Sequence, residues 1–166
     1  MTTTDPATDP TAQALADRLA ITDVLYRYAS TIDSFDFAGT RSVLHDDLWA
    51  QYGNAEPVVG GQAVADWIAG FCETCIWQHH LLSVYHVDVD GDRANALVYH
   101  TSHQGFEADP DAAHVLVARY HDELVRTPDG WKISRLVMEI VWGERREDAA
   151  GYLAQVGGRG PVMAGR

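Results

Sequence analysis

Four of the eight histidines in this 166-residue chain fall where chemistry could use them. His79 and His80 open one predicted strand, and His100 and His103 lie in the next. Successive side chains of a strand point to opposite faces, so regular geometry sends one member of each pair inward. Asp33 closes a predicted helix one residue past Ile32, at the edge of its apolar stripe. The negative end of the helix dipole disfavours a carboxylate there, so a carboxylate at that place is a candidate for a task other than stability. Tyr28 shares the stripe, and its hydroxyl needs a partner if buried. Two imidazoles on paired strands, facing a helix carboxylate, make a general acid/base set. The carboxylate fixes a tautomer or holds a proton, and an imidazole takes or returns one.

Other uses of the same residue types weigh less. Cys72, Cys75, His79 and His80 offer soft metal ligands close in sequence, but the two neighbouring histidines would have to converge from opposite faces of a strand. No metal and no cofactor is therefore expected. The Cys-Glu-Thr-Cys spacing resembles a redox pair, yet it falls at the wrong end of a helix to stabilise a thiolate. His45, His86, His114 and His121 have weaker cases, and His86 is expected on the face opposite Val87 and Val89. Trp131 reads as a packing residue, and Met138 and Trp142 as sharers of one strand face.

The elements that must position these groups follow from periodicity. Asp9-Pro10 suits a helix start, and Leu15, Leu19, Ile21, Val24, Leu25, Tyr28, Ala29 and Ile32 form a stripe ending near Asp33-Ser34. A shorter helix is expected over Phe37 to Leu44, a short strand over Leu48 to Tyr52, and a third helix carrying Val64, Trp67, Ile68 and Phe71. Two hairpins follow: His79 to Val89 with Ala94 to Phe106 around Gly91-Asp92, then His114 to Arg126 with Trp131 to Trp142 around Pro128-Asp129-Gly130. Helices first and long antiparallel strands after them imply an α+β domain with helices on one face of the sheet. The length of the strands predicts a strongly curved antiparallel sheet around a cavity. Residues 1–10 read as a disordered tail, 11–144 as one domain, and 145–166 as a tail that frays or crosses onto a partner.

Composition narrows the classes of partner. The chain carries 24 Asp and Glu against 12 Lys and Arg, a net charge of −12, which repels phosphate backbones and argues against nucleic acid. No segment is apolar and long enough to span a membrane, and the first residues lack the basic and apolar stretches of a signal peptide, so neither membrane spanning nor classical secretion is expected. With two local cysteines, a reducing, cytoplasmic setting is the expectation. A half-apolar sheet with helices on one side leaves a face to cover, so a homodimer or higher homo-oligomer is expected, with Val115, Val117 and Val125, or Met138 and Trp142, as candidate contacts.

Several runs together resemble the SnoaL-like branch of the nuclear transport factor 2-like superfamily. They are Ile21-x-x-x-Leu25-x-x-Tyr28 leading to Asp33 and Asp36, Gln78-His79-His80-Leu81, Val87-Asp88-Val89-Asp90-Gly91-Asp92, Arg119-Tyr120-His121-Asp122, and Gly130-Trp131-Lys132-Ile133. The resemblance implies a cone-shaped α+β barrel. It also implies kinship with scytalone dehydratase, bile-acid 7α-dehydratase and polyketide cyclases. In the dehydratases a helix tyrosine, an aspartate and strand histidines surround a cofactor-free site. Residue by residue, Tyr28 and Asp33 match the tyrosine and aspartate, His80 or His79 the first histidine, and His103 or its rival His100 the second. The implied function is a cofactor-independent lyase or isomerase acting on a small apolar oxygenated ring compound such as a polyketide, sterol or aromatic metabolite. The fold also serves polyketide cyclases, non-catalytic ligand-binding proteins and the small subunits of ring-hydroxylating oxygenases, and these stand as alternatives.

Overall fold

The structure is a computed structural model that describes residues 10–147. Residues 1–9 and 148–166, the bulk of the two expected tails, lie outside the described residues. The first helix, α1 (Pro10–Asp33), buries Asp17, Ile21, Leu25, Tyr28, Ala29 and Ile32, a set spaced by three and four residues that forms a single stripe. It is followed by α2 (Phe37–Ser42), β1 (Leu44–Tyr52), β2 (Val58–Val59), α3 (Gly61–Phe71) and a single 3-10 turn, Cys72–Thr74. Four long strands complete the described residues: β3 (Cys75–Asp90), β4 (Arg93–Phe106), β5 (Asp109–Thr127) and β6 (Gly130–Arg146). No helix of the described residues is long and apolar enough to cross a membrane.

The sheet departs from the expected barrel. Its strands run β2-β1-β6-β5-β4-β3, an open order with β2 and β3 at the edges. It is also mixed, because β1 pairs parallel with β6. A closed, strongly curved, wholly antiparallel sheet is therefore not what forms. Closure would require the two edges to pair, and β2 has only two residues to offer. Leu44, expected to end a helix, instead opens β1 and pairs with Ile133. Helix α1 packs on β3 and β6, while α3 packs on β1 and β2, so the core lies between the helices and one sheet face.

Register shifts decide which side chains reach that core. In β3, Val84 pairs with Val98 but His86 pairs with Leu97, which leaves Tyr85 as an extra residue. Inward positions are therefore 78, 80, 82 and 84 before the shift, and 87 and 89 after it. A second shift, between Val117 and Ala118, pairs Val117 with Trp142 and Ala118 with Ile140. Met138 packs against the core and Trp142 does not, so the two do not share a face as expected.

One buried carboxylate ties the helix to the last hairpin. Asp17 receives both terminal nitrogens of Arg126 at 2.7 Å, Trp131 Nε1 at 3.2 Å and Gln13 Nε2 at 3.1 Å. Arg126 also lies over the Trp131 ring and donates from Nε to Asp92. The Arg126 hydrogen bonds, against the opposing effect of burial, bring the Asp17 carboxyl down to about 2. Replacing Asp17 by Asn is expected to lower stability by about 1.5–3 kcal/mol, the range for hydrogen bonds to charged groups. Chemical denaturation at neutral pH measures it. The charged form's contribution is complete above the ordinary value of 3.8 and disappears as pH falls through about 2, so the two proteins' stabilities converge over that window.

Candidate functional site

The last turn of α1 sets the site. The Asp36 N–H donates to the Thr31 carbonyl at 2.8 Å and the Phe35 N–H to the Ile32 carbonyl at 3.0 Å, the paired bonds of a Schellman cap. Phe35 takes the left-handed position, φ 57°, that such a cap usually gives to glycine. This stops the helix with Asp33 directed at β3. There Asp33 Oδ2 accepts the His80 backbone N–H at 2.9 Å, and Oδ1 accepts His80 Nδ1–H at 2.5 Å. The two side chains are 22 % and 8 % exposed. Burial opposes the charge on Asp33, but the hydrogen bonds from the His80 side chain and backbone, with the charges of His80 and His79, hold the carboxyl below its ordinary value. With Nδ1 committed to the carboxylate, Nε2 is the ring nitrogen left to exchange a proton.

His80 belongs to the wall of a cavity of about 260 Å³ between the helices and the sheet. Its lining is mainly apolar, from Ile32, Trp67, Phe71, Leu116, Met138 and Ile140. Trp67 stacks on Tyr52 with ring centroids 4.6 Å apart, and Phe71 continues that aromatic wall. Set into this lining, Tyr28 and Tyr52 share a hydroxyl–hydroxyl bond of 2.8 Å. Burial first, and then neighbouring acidic groups, raise the Tyr28 hydroxyl well above its ordinary value; burial likewise raises Tyr52. Both are thus neutral hydrogen-bonding groups. One proton serves the bond between them, which leaves the other O–H to donate elsewhere.

His100 is 2 % exposed, and among the described residues neither of its ring nitrogens has a hydrogen-bond partner. Its ring stacks on His80 with centroids 5.0 Å apart and meets Tyr120 at the same distance on a tilt. Burial, reinforced by the neighbouring His80 charge and opposed by Asp33, takes its pKa down to about 3. It is a neutral ring at physiological pH, with one N–H to give and one lone pair to accept. Asp122, two residues beyond Tyr120, is also buried and has an oxygen without a hydrogen-bond partner among the described residues; burial raises its carboxyl well above the ordinary value.

The sequence candidates therefore separate by face. Asp33, Tyr28, His80 and His100 come together around the cavity. His79 and His103 do not: they pair directly with each other across β3 and β4, one position out of phase with the inward residues. Burial, then the charges of Arg146 and His79, lower the pKa of His103 there. Tyr52, Tyr120 and Gln78 also line the cavity and were not among the sequence candidates. For Tyr120 the signal was present, since Ala118, Tyr120, Asp122 and Leu124 alternate as one buried set. Cys72 and Cys75 are buried; the Cys72 thiol lies 3.6 Å from Gln78 Oε1, and the Cys75 thiol 3.1 Å from the Trp77 carbonyl. Among the described residues no three metal-ligating side chains gather in one place.

Comparison with known proteins places this arrangement in context. The model of a family described as SnoaL-like domain matches residues 13–137. An uncharacterized protein of Mycobacterium tuberculosis is 31% identical over 124 residues, which span 74% of this chain and 84% of that one. Among solved structures, the Kfla4162 protein of Kribbella flavida aligns with a TM-score of 0.73 at 26% identity, covering 79% of this chain and 95% of that chain. A hexachlorocyclohexane dehydrochlorinase from Novosphingobium barchaimii aligns with a TM-score of 0.75 over 82% of this chain and 94% of its own, at 17% identity, a likeness of fold.

The stacked, unprotonated His100 has a measurable signature. Below the ordinary histidine value of 6.5 the unfolded chain takes a proton at this position that the folded chain refuses until about 3. Folding stability attributable to His100 accordingly falls as pH drops through that window and is level below it. A His100→Phe variant keeps a flat ring and removes the titration. Its stability relative to the parent protein is expected to rise steadily from pH 6.5 towards 3 in denaturant melts.

Proposed function

We propose that this chain, which belongs to the SnoaL-like domain family, is a cofactor-independent lyase or isomerase of the dehydratase type, acting on a small apolar oxygenated ring compound. The observation that carries this reading is His80 in the wall of an apolar cavity, its Nδ1 hydrogen-bonded to Asp33 behind it. An ionised carboxylate on Nδ1 fixes the tautomer and stabilises the imidazolium, so His80 Nε2 takes a proton from a carbon next to a carbonyl. The Tyr28–Tyr52 pair supplies an O–H to the carbonyl oxygen as charge develops on it. The electron pair left on carbon forms a double bond, and a hydroxyl on the next carbon departs. It leaves as water, carrying the proton that His80 took, with the neutral His100 N–H to receive it. Isomerisation uses the same base and returns the proton at another carbon.

Size narrows the ligand. A cavity of about 260 Å³ falls below the roughly 300–1,000 Å³ common for drug-sized ligands, which favours one or two rings over a sterol or a multi-ring polyketide. Elimination from a ring compound is also what the name of the solved dehydrochlorinase describes. A second copy of the chain is the partner we propose for the outer sheet face, where Leu81, Tyr85 and Tyr99 stand exposed. Light scattering at micromolar concentration tests it, and a monomer mass alone would refute it.

The catalytic reading is tested with a bicyclic aromatic β-hydroxy ketone, whose dehydration yields a conjugated enone followed by absorbance. Asp33→Asn and His80→Ala are each expected to lower turnover by about two to four orders of magnitude. The two losses should not add, because the groups act as a unit. His79→Ala and His103→Ala, on the other face, should leave turnover within about threefold, the scale of surface changes within about ±0.5 kcal/mol. Full activity in Asp33→Asn would end the assignment.

A further inference from the structure

We infer that Gln78 is the positioning residue of the Asp33–His80 pair: its side-chain amide fixes the end of α1 against β3 at the register the pair requires. The inference rests on the catalytic reading of that pair and goes one layer beyond it. Gln78 is buried, on the same face of β3 as His80 and two residues before it. Its Nε2 donates to the carbonyl of Ile32 at 2.6 Å, and Ile32 immediately precedes Asp33. Two tethers thus run side by side between helix and strand, Ile32 to Gln78 and Asp33 to His80.

The Ile32 carbonyl belongs to the cap that ends α1, where it already accepts the Phe35 N–H. A bond to it therefore holds the turn from which Asp33 projects. The amide is itself oriented: Gln104 Nε2, from β4, donates to Gln78 Oε1 at 3.4 Å. That contact, with the Cys72 thiol 3.6 Å from the same oxygen, leaves the Gln78 Nε2 pointing at the helix. A glutamine serving stability alone needs a partner, but it has no reason to select the carbonyl adjoining the carboxylate that His80 requires. A displacement of about 1 Å at a reacting group costs on the order of 10²-fold in rate, so the tether has catalytic consequence.

The test uses Gln78→Met, which keeps length and volume and removes the amide. The first readout needs no substrate: the His80 Nδ1–H proton, seen by NMR as a downfield resonance that Asp33→Asn abolishes. Gln78→Met is expected to broaden or erase that resonance and to lower kcat on the hydroxy-ketone probe by about 10²-fold with KM little changed. If Gln78→Met does not fold, Gln104→Met removes the amide contact to Gln78 Oε1, leaving only the longer Cys72 thiol contact, and is expected to weaken the same resonance. A Gln78→Met protein less stable than the parent, but with the resonance and kcat intact, overturns the inference and leaves Gln78 a structural staple; an unaltered resonance in a folded Gln104→Met does the same when that variant stands in. Loss of the resonance alongside full turnover in Asp33→Asn is a different outcome: Gln78 still positions the pair, and the catalytic reading fails.

Discussion

A helix ends in carbonyls with no partner in the helix, and an aspartate placed there adds charge to the negative end of the dipole. In this protein both problems are solved by one stretch of strand. The backbone and ring of His80 supply two donors to Asp33, and the Gln78 amide supplies one to Ile32. The helix end cannot shift along β3 without giving up all three. Because Tyr28 and Ile32 ride on the same last turns of α1, that docking also fixes one wall of the cavity. The N-terminal half of the helix is held independently by Asp17 and Arg126, so α1 is tied to the sheet at two separate places.

The polar groups in and around the cavity are arranged by cost. A charge is present where it is paired, at Asp33. Away from that pair, burial keeps the tyrosine hydroxyls, His100 and Asp122 in their neutral forms. Neutral groups in a buried pocket retain their hydrogen-bonding capacity without the several kcal/mol that an unpaired ion costs. The His80–His100 stack fits that scheme, since a neutral ring beside His80 adds no second positive charge when His80 takes up a proton.

Much of this was legible in the chain, and the errors have physical causes. The stripe from Ile21 to Ile32 gave α1, and the misfit of a carboxylate at its end singled out Asp33. The alternation Ala94, Ala96, Val98 carries His100 inward by simple parity, although the family pattern drew attention to His103. Around His79 and His80, hydropathy misleads. Trp77, His79 and Leu81 are the more apolar set, yet Gln78, His80 and Leu82 face the core. Trp77 instead lies over Gly105, where even a Cβ would collide with its ring, and Gln78 is drawn inward by a helix carbonyl. Neither attraction is visible from local pattern. Nor is the parallel pairing of β1 with β6, which joins segments some ninety residues apart and depends on where α2 delivers the chain. The open sheet follows from the two-residue β2, whose shortness no periodicity predicts.

The extra residue at Tyr85 divides β3 into two segments with opposite phase. A strand of uniform phase would couple all its inward residues, because an insertion or deletion anywhere would turn the whole set over. Here the phase is reset between the half that holds Gln78, His80 and Leu82 and the half that holds Val87 and Val89. Lineages could therefore revise the cavity half, residue by residue or by a shift in register, while the hairpin half continued to seal the core. Such a joint makes a strand modular. It offers one physical route by which a single scaffold could be refitted to new ligands without being refolded.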